Sequence, residues 1–161
     1  LDIVGDGPER AALEAMVDSL GLRSGVTFHG WLPHKEVQNI LGDCDFMALP
    51  SIREFGGGVV LEAMALGVTP VVADYGGPAE LVDDDTGIRV PFHDEESLVR
   101  GFEQKIGSLI AAPEALDRLG AAARKRVIES FTWEAKAAQI VDVYRSLMEE
   151  RGASLASVSA P

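Results

Sequence analysis

A short apolar run, Phe46–Leu49, leads into a loop with three consecutive glycines and then into a run of helix-forming residues. The apolar run is typical of a buried strand, and Val60–Leu66 is typical of a helix that ends at Gly67. Because Gly56–Gly58 lack a Cβ, a bound group can approach the backbone of this turn closely. A strand that passes through glycines into a helix is a unit of α/β folds, so this segment constrains the architecture most.

The same alternation of strand and helix continues along the chain and predicts an α/β fold, a Rossmann-like doubly wound parallel sheet. The predicted strands are 1–5, 25–29, 45–49, 69–73 and 87–90. The predicted helices are 8–20, 34–42, 58–66, 78–82, 95–110, 114–129 and 133–149. Ligands of such folds gather at the carboxyl ends of the strands, so a site is expected in the loops that follow them.

Two of these helices carry patterns that predict how they pack. In helix 8–20 apolar residues recur every three or four positions, which predicts a buried face. That face consists of Ala12, Met16, Val17 and Leu20. At the start of the last helix Thr132 is expected to be the N-cap, and Trp133 is expected to pack inward.

Composition predicts one domain at 1–150, followed by a flexible tail at 151–161. The chain has 161 residues, of which 47% are hydrophobic, and a net charge of −12. That charge argues against nucleic acid and against docking on an anionic membrane through this domain. No apolar run approaches the roughly 20 residues that span a membrane. The single cysteine, Cys44, fits a cytoplasmic location.

Two glutamates flank the Gly-rich turn and suggest what it binds. Glu54 lies just before the predicted helix, and Glu62 lies about 7 Å along it. The first turn of a helix suits a diphosphate, and a carboxylate accepts hydrogen bonds from a pair of sugar hydroxyls. A nucleotide-sugar carries both chemistries. On the spacing alone, the alternative stays open that Glu54 is an ordinary loop charge and Glu62 an ordinary helix charge.

Several further motifs follow one another in order along the chain. After Glu54 and Glu62, with seven residues between them, come Leu61–Gly67, Pro70–Ala73, Gly76–Val82 and Thr86-Gly87, and upstream lie Ile3–Pro8 and Val26–Gly30. In this order they resemble the retaining glycosyltransferases of family 4, which have the GT-B architecture and an E-x7-E motif. The resemblance extends from residue 1 to about residue 148. One departure is that Phe55 follows Glu54 directly, where the family has Glu-x-Phe-Gly.

The resemblance implies that the chain is the C-terminal, donor-binding half of a GT-B enzyme that transfers a hexosyl group from a UDP-, GDP- or ADP-sugar. It implies that Glu54 contacts the hexose at the catalytic centre and that Glu62 holds the ribose hydroxyls. The other residues that it implies for donor binding are the diphosphate-binding amides of Gly57, Gly58 and Val59, the sugar-pocket residues Phe55 and Gly56, and Gly5, Trp31 and Leu32 around the nucleotide. No cofactor and no metal are expected.

Three segments allow other local interpretations. Gly5-Asp-Gly7 suggests a dinucleotide site, but Arg10 stands where that motif has its third glycine. The acidic run 83–85 suggests a magnesium site, but a solvated turn before Thr86-Gly87 fits it better. For Trp31, the alternative stays open that it covers a sheet edge and has no role at the nucleotide.

The resemblance also implies parts that lie upstream of Leu1, where the chain begins inside a predicted strand. These are a first strand, a basic Arg and Lys pair, and an N-terminal acceptor domain of the same protein. The chain alone is therefore expected to bind nucleotide weakly, to transfer nothing and to self-associate through exposed strand edges. Other functions stay open: a GT-B nucleotide-sugar epimerase or hydrolase, a non-catalytic nucleotide-sugar-binding module, or a flavodoxin-like domain.

Overall fold

The structure is a computed structural model, and it describes residues 1–150. The predicted tail at 151–161 lies outside the described residues. Two compact units make up the chain, the first being Leu1–Asp45 and the second beginning at Phe46. That 1–150 forms one domain stays a prediction.

All the predicted strands and helices are present, with ends that differ from the predicted ones by no more than two residues. The first unit contains β1 (Asp2–Val4), α1 (Arg10–Ser19), a short 3-10 turn (Arg23–Gly25), β2 (Thr27–Gly30) and α2 (His34–Gly42). The second contains β3 (Phe46–Leu49), α3 (Gly58–Leu66), β4 (Thr69–Asp74), α4 (Gly76–Leu81), β5 (Ile88–Pro91), α5 (Glu95–Ala111), α6 (Glu114–Ser130) and α7 (Trp133–Glu150).

Every named strand pair is parallel, as predicted. In the first unit β1 pairs with β2, and in the second the strand order is β3-β4-β5. Within the described residues the outer strands of each sheet pair on one side only; they are β1 and β2 in the first unit and β3 and β5 in the second. Self-association through these edges stays a prediction.

The core of the second unit lies on both faces of β4. Val72 belongs to one hydrophobic cluster, whose other buried members are Val60, Met64, Val82, Ala123 and Val127. Its neighbours Val71 and Ala73 point to the other face. They belong to a second cluster with Val90, Leu98, Phe102 and Leu109. The α3 and α6 helices therefore cover one face and α5 covers the other, which is the layered arrangement expected of a central parallel strand.

The predicted buried face of α1 is wrong. Met16 is 57% exposed and Leu20 is 62% exposed, Ala12 is also exposed, and Val17 is only partly buried. Of residues 1–45, all of which the structure describes, Leu41 is the only hydrophobic side chain that is buried. A two-stranded sheet has too little apolar surface to cover the helices beside it. The amphipathic pattern of α1 was therefore not enough to bury its apolar face.

The start of α7 confirms one prediction and corrects another. The Ala135 N–H donates to Thr132 Oγ1 at 3.1 Å, so Thr132 caps the helix as expected. Trp133 does not pack inward, because it is 88% exposed. The inward aromatic is Phe131, which packs against the Val60 cluster and has the Lys136 ammonium 4.6 Å from its ring centroid.

The acidic run before β5 is a tight turn, as predicted. The Asp83 carboxylate accepts hydrogen bonds from the Thr86 hydroxyl at 2.7 Å and from the Asp85 N–H at 3.2 Å, and it pairs with Arg126 of α6. These partners, the Thr86 hydroxyl foremost, lower the pKa of Asp83 below the ordinary value of 3.8. The turn thereby attaches β5 to α6.

We expect Asp83 to contribute to stability in a pH-dependent way. Because its folded pKa is lowered, its contribution is complete above the ordinary pKa and is lost as the pH falls through the lower, folded value. In Asp83→Asn the melting temperature should therefore fall less between pH 7 and pH 3 than in the wild type. The loss at pH 7 should be at most about 1 kcal/mol, because the pair is partly exposed. The control is Asp84→Asn, which removes an equal charge from a side chain that is 95% exposed. An equal fall in melting temperature between pH 7 and pH 3 in the two variants would contradict this role.

Gly120 sets how closely α6 approaches the end of α3. A Cβ on Gly120 would lie 2.0 Å from the carbonyl oxygen of Gly67, whereas a Cβ on Gly107 in α5 would have nothing within 4 Å. We expect Gly120→Ala to destabilise the protein by about 1–3 kcal/mol. Gly107→Ala should stabilise it by about 0.5–1 kcal/mol through helix propensity. Denaturant unfolding of both variants tests this, and a stabilised Gly120→Ala would contradict the packing described.

Candidate functional site

The loop between β3 and α3 carries the residues singled out in the sequence, and it ends in a glycine with a left-handed backbone. Gly57 has φ +65° and is the N-cap of α3, where its carbonyl accepts from the Val60 N–H at 2.8 Å. A residue with a Cβ is strained in this conformation. Gly57 therefore has a local structural reason, which is to turn the chain from the loop into the helix.

Glu54 closes this loop on itself. Its Oε1 accepts hydrogen bonds from the Gly56 N–H at 3.2 Å and from the Gly57 N–H at 2.9 Å. The carboxylate therefore occupies a place where an anion would meet these amides. Of the amides predicted to bind a diphosphate, that of Gly57 is engaged by Glu54, while Gly58 and Val59 belong to the first turn of α3, where N–H groups have no intrahelical acceptor.

Glu62 lies one turn along α3 from its first residue. It follows Gly58 by four positions, so the two share a face of the helix about 6 Å apart along the axis. Glu62 is partly buried, and Ala63 and Met64, which follow it, are fully buried in the core. The helix therefore holds this carboxylate on a rigid element.

The Gly-Gly-Pro motif at the start of α4 packs directly on the loop. A Cβ on Gly77 would lie 2.1 Å from the carbonyl oxygen of Phe55, and a Cβ on Gly76 would lie 3.0 Å from that of Glu54. Pro78 is fully buried, and its Cα would lie 3.2 Å from a Cβ on Gly57. The motif is visible in the sequence, but its contact with the loop was not predicted; the consecutive glycines are the signal of such a close approach.

Phe55, one of the two predicted sugar-pocket residues, is exposed, and an apolar pocket lies elsewhere on the second unit. Phe55 is 99% exposed, and Tyr75 packs edge-on against Phe92 at 5.7 Å between ring centroids. This open pocket has a volume of about 510 Å³ and is lined by Pro50, Ile52, Phe92, Glu95, Leu98, Val99 and Phe102. Neither Glu54 nor Glu62 lines this pocket, so it is separate from the predicted diphosphate contacts.

The first unit brings together its own predicted residues. Gly5 follows β1 with φ +124°, and its N–H donates to the carbonyl of Gly30 at 2.8 Å. Gly30 is buried and has φ +69°, and Trp31, the next residue, is 78% exposed. Leu32 is partly buried. Gly5 and the segment 30–32 therefore lie at one edge of the two-stranded sheet.

Among residues 1–150, no three His, Cys, Asp or Glu side chains are grouped as ligands of a metal ion. Burial raises the pKa of the Cys44 thiol, which donates to the Ile40 carbonyl at 3.2 Å. None of the helices at 1–150 combines the length and apolarity needed to cross a membrane.

The parallel α/β arrangement is that of GT-B glycosyltransferases. Sucrose-phosphate synthase from Thermosynechococcus elongatus superposes with a TM-score of 0.73 at 32% identity, over 93% of this chain and 39% of that one. The Anabaena protein HepE, solved in complex with UDP and glucose, superposes with a TM-score of 0.74 at 26% identity, over 90% of this chain and 40% of that one.

Sequence comparison identifies the family. Residues 1–126 match the family described as glycosyl transferases group 1, and the chain belongs to it. It is 35% identical over 119 residues to the alpha-maltose-1-phosphate synthase of Mycolicibacterium smegmatis, over 72% of this chain. The aligned part is 31% of the length of that relative, so the chain corresponds to about a third of it.

We expect Gly77→Ala to disturb the Glu54 loop, because the added methyl group would collide with the Phe55 carbonyl. The loss of stability should be about 1–3 kcal/mol. Gly56→Ala is the matched control in the same loop, since its Cβ would meet nothing within 4 Å and its φ is not positive. Thermal unfolding distinguishes them, and equal melting temperatures would show that the close approach is not required.

Proposed function

We propose that this chain is the donor-binding part of a retaining enzyme that transfers a hexosyl group from a UDP-, GDP- or ADP-sugar. The observation that carries the proposal is the start of α3. Gly57 turns the chain there, Gly58 and Val59 begin the helix, and Glu62 lies one turn along on the face of Gly58. The likeness to HepE, which was solved with UDP and glucose, supports a nucleotide-sugar as the ligand.

Glu54 is the residue that we propose to contact the hexose. Its carboxylate accepts from the Gly56 and Gly57 amides, which is where the diphosphate would place its negative charge. A diphosphate bound at Gly57 would displace the carboxylate, because two anions compete for the same donor. The displaced carboxylate would then be available to the hydroxyls of the hexose. Phe55, beside Glu54, would contribute to the sugar pocket together with Gly56.

The first turn of α3 has a second role in this proposal. When the bond to the sugar breaks, negative charge builds on the departing nucleoside diphosphate. The amides of Gly57, Gly58 and Val59, with the positive end of the helix dipole, would stabilise that charge without moving. Glu62 would meanwhile accept hydrogen bonds from the ribose hydroxyls.

For the base of the nucleotide, we propose contacts with residues of the first unit. The turn at Gly5 would form a wall of the nucleotide site. Backbone groups of Trp31 and Leu32 would contact the base. The Gly5–Gly30 hydrogen bond supports this role, because it holds the turn beside the segment that leads into Trp31.

Because the chain spans only about a third of the length of its Mycolicibacterium smegmatis relative, transfer itself is proposed for the whole protein. The proposed location is the cytoplasm. The acceptor would be selected by the N-terminal domain. This chain by itself is expected to bind nucleotide weakly and to transfer nothing.

We expect Glu62→Ala to weaken the binding of nucleotide to the full-length protein by about 10- to 100-fold, since hydrogen bonds to a charged group contribute about 1.5–3 kcal/mol. Calorimetric titration with UDP, GDP and ADP, and with their hexose conjugates, measures this and identifies the nucleotide.

Glu103→Ala is the matched control, because it removes the same side chain from an exposed position on α5. It should leave the affinity unchanged. The proposal would be overturned if the full-length protein bound none of the three nucleotides, or if Glu62→Ala bound as tightly as the control.

A further inference from the structure

Arg10 connects three separate parts of the first unit through one guanidinium group. Nε donates to Glu14 Oε1 in α1 at 2.9 Å, and Nη1 donates to Asp6 Oδ2 in the turn after β1 at 3.2 Å. Nη2 donates to the carbonyl of Phe28 in β2 at 3.4 Å. Each of the three nitrogens therefore has its own partner, and the partners belong to a helix, a turn and a strand.

The same side chain lies against the backbone that leads into Trp31. The guanidinium carbon is 5.9 Å from the centroid of the Phe28 ring, and Nη1 would lie 3.0 Å from a Cβ on Gly30. Gly30 is buried with φ +69°, so the chain turns sharply at the point where Arg10 supports it. Arg10 itself is only 33% exposed, although it is a charged residue.

Packing does little to hold these segments in place. Leu41 is the only buried hydrophobic side chain among residues 1–45, every one of which the structure describes. The turn after β1 is attached to the end of β2, from which Trp31 follows, by the Gly5–Gly30 hydrogen bond and by the contacts of Arg10 with Asp6 and Phe28. A planar group with donors in a fixed fork suits this connection, whereas a lysine offers a single ammonium.

We propose that Arg10 is a positioning residue for recognition of the nucleotide base. It fixes the backbone of the segment 30–32 relative to the turn at Gly5, and it does so without contacting the donor. The inference rests on the proposed function, in which Trp31 and Leu32 contact the base through backbone groups. Backbone donors and acceptors discriminate between bases only if their positions are fixed, so Arg10 determines base specificity and not affinity for the diphosphate.

The test uses the full-length protein and the variants Arg10→Ala and Arg10→Lys. The ratio of kcat/KM for the preferred nucleotide-sugar to that for the same sugar on another nucleotide is measured for each. In both variants we expect this ratio to fall about tenfold, the equivalent of one net hydrogen bond, through a higher KM for the preferred donor. Inhibition by inorganic pyrophosphate and kcat should be little changed.

Arg23→Ala is the matched control, since Arg23 is 62% exposed and lies 3.8 Å from the carboxylate of Asp18. It should leave the ratio unchanged. If Arg10→Ala does not fold, Glu14→Gln is the second variant. It weakens the partner of Nε while Arg10 remains, and it should lower the ratio by a smaller factor.

Two outcomes would overturn the inference. One is an unchanged ratio in the Arg10 variants, or in Glu14→Gln where that variant is used. The other is an equal loss of pyrophosphate inhibition and of nucleotide preference, which would indicate general disruption. Failure of the proposed function itself is distinguishable, because Glu62→Ala would then leave nucleotide binding intact. If Glu62→Ala loses nucleotide binding while Arg10→Ala keeps the kcat/KM ratio, only the inference about Arg10 fails.

Discussion

The close approach of α4 to the loop after β3 is the constraint on which the candidate site depends. Gly77 lies so near the Phe55 carbonyl that even a methyl group would collide with it, and the buried Pro78 lies beside Gly57. This contact holds the peptide groups on either side of Phe55, just before α3 begins. The Glu54 carboxylate, which meets the Gly56 and Gly57 amides, is therefore held in a loop whose course is set by a packing contact between backbones.

The two units hold the loops that carry the candidate site residues by different physical means. In the second unit β4 is buried on both faces, so α3 and its glutamate sit on a packed scaffold whose position is set by apolar contacts. In the first unit little apolar surface is buried, and the loops are attached by hydrogen bonds and by the guanidinium of Arg10. Polar links have directional geometry, which suits the base recognition that we propose for the segment 30–32.

Much of the fold could be predicted because it depends on local patterns. The strands, the helices, the Thr132 cap and the acidic turn at Asp83 each follow from residues that are neighbours in the chain. The predictions that α1 buries its apolar face and that Trp133 packs inward were wrong, because burial depends on which other residues are available to cover a side chain. For the site, the motif located Glu54 and Glu62, whereas the engagement of Glu54 with the Gly56 and Gly57 amides was not foreseen.

The sequence by itself determined the family, the α/β alternation and the place of the glycine turn, because motif order, periodicity and backbone freedom are properties of short segments. Only the tertiary structure decided three contacts. Gly77 packs against the Phe55 carbonyl, Glu54 accepts hydrogen bonds from the amides of its own loop, and Arg10 connects β2 with the turn after β1. Two of these contacts join residues about 20 positions apart, and the third depends on a side-chain rotamer. Such choices are made by packing in three dimensions, which residue order does not record.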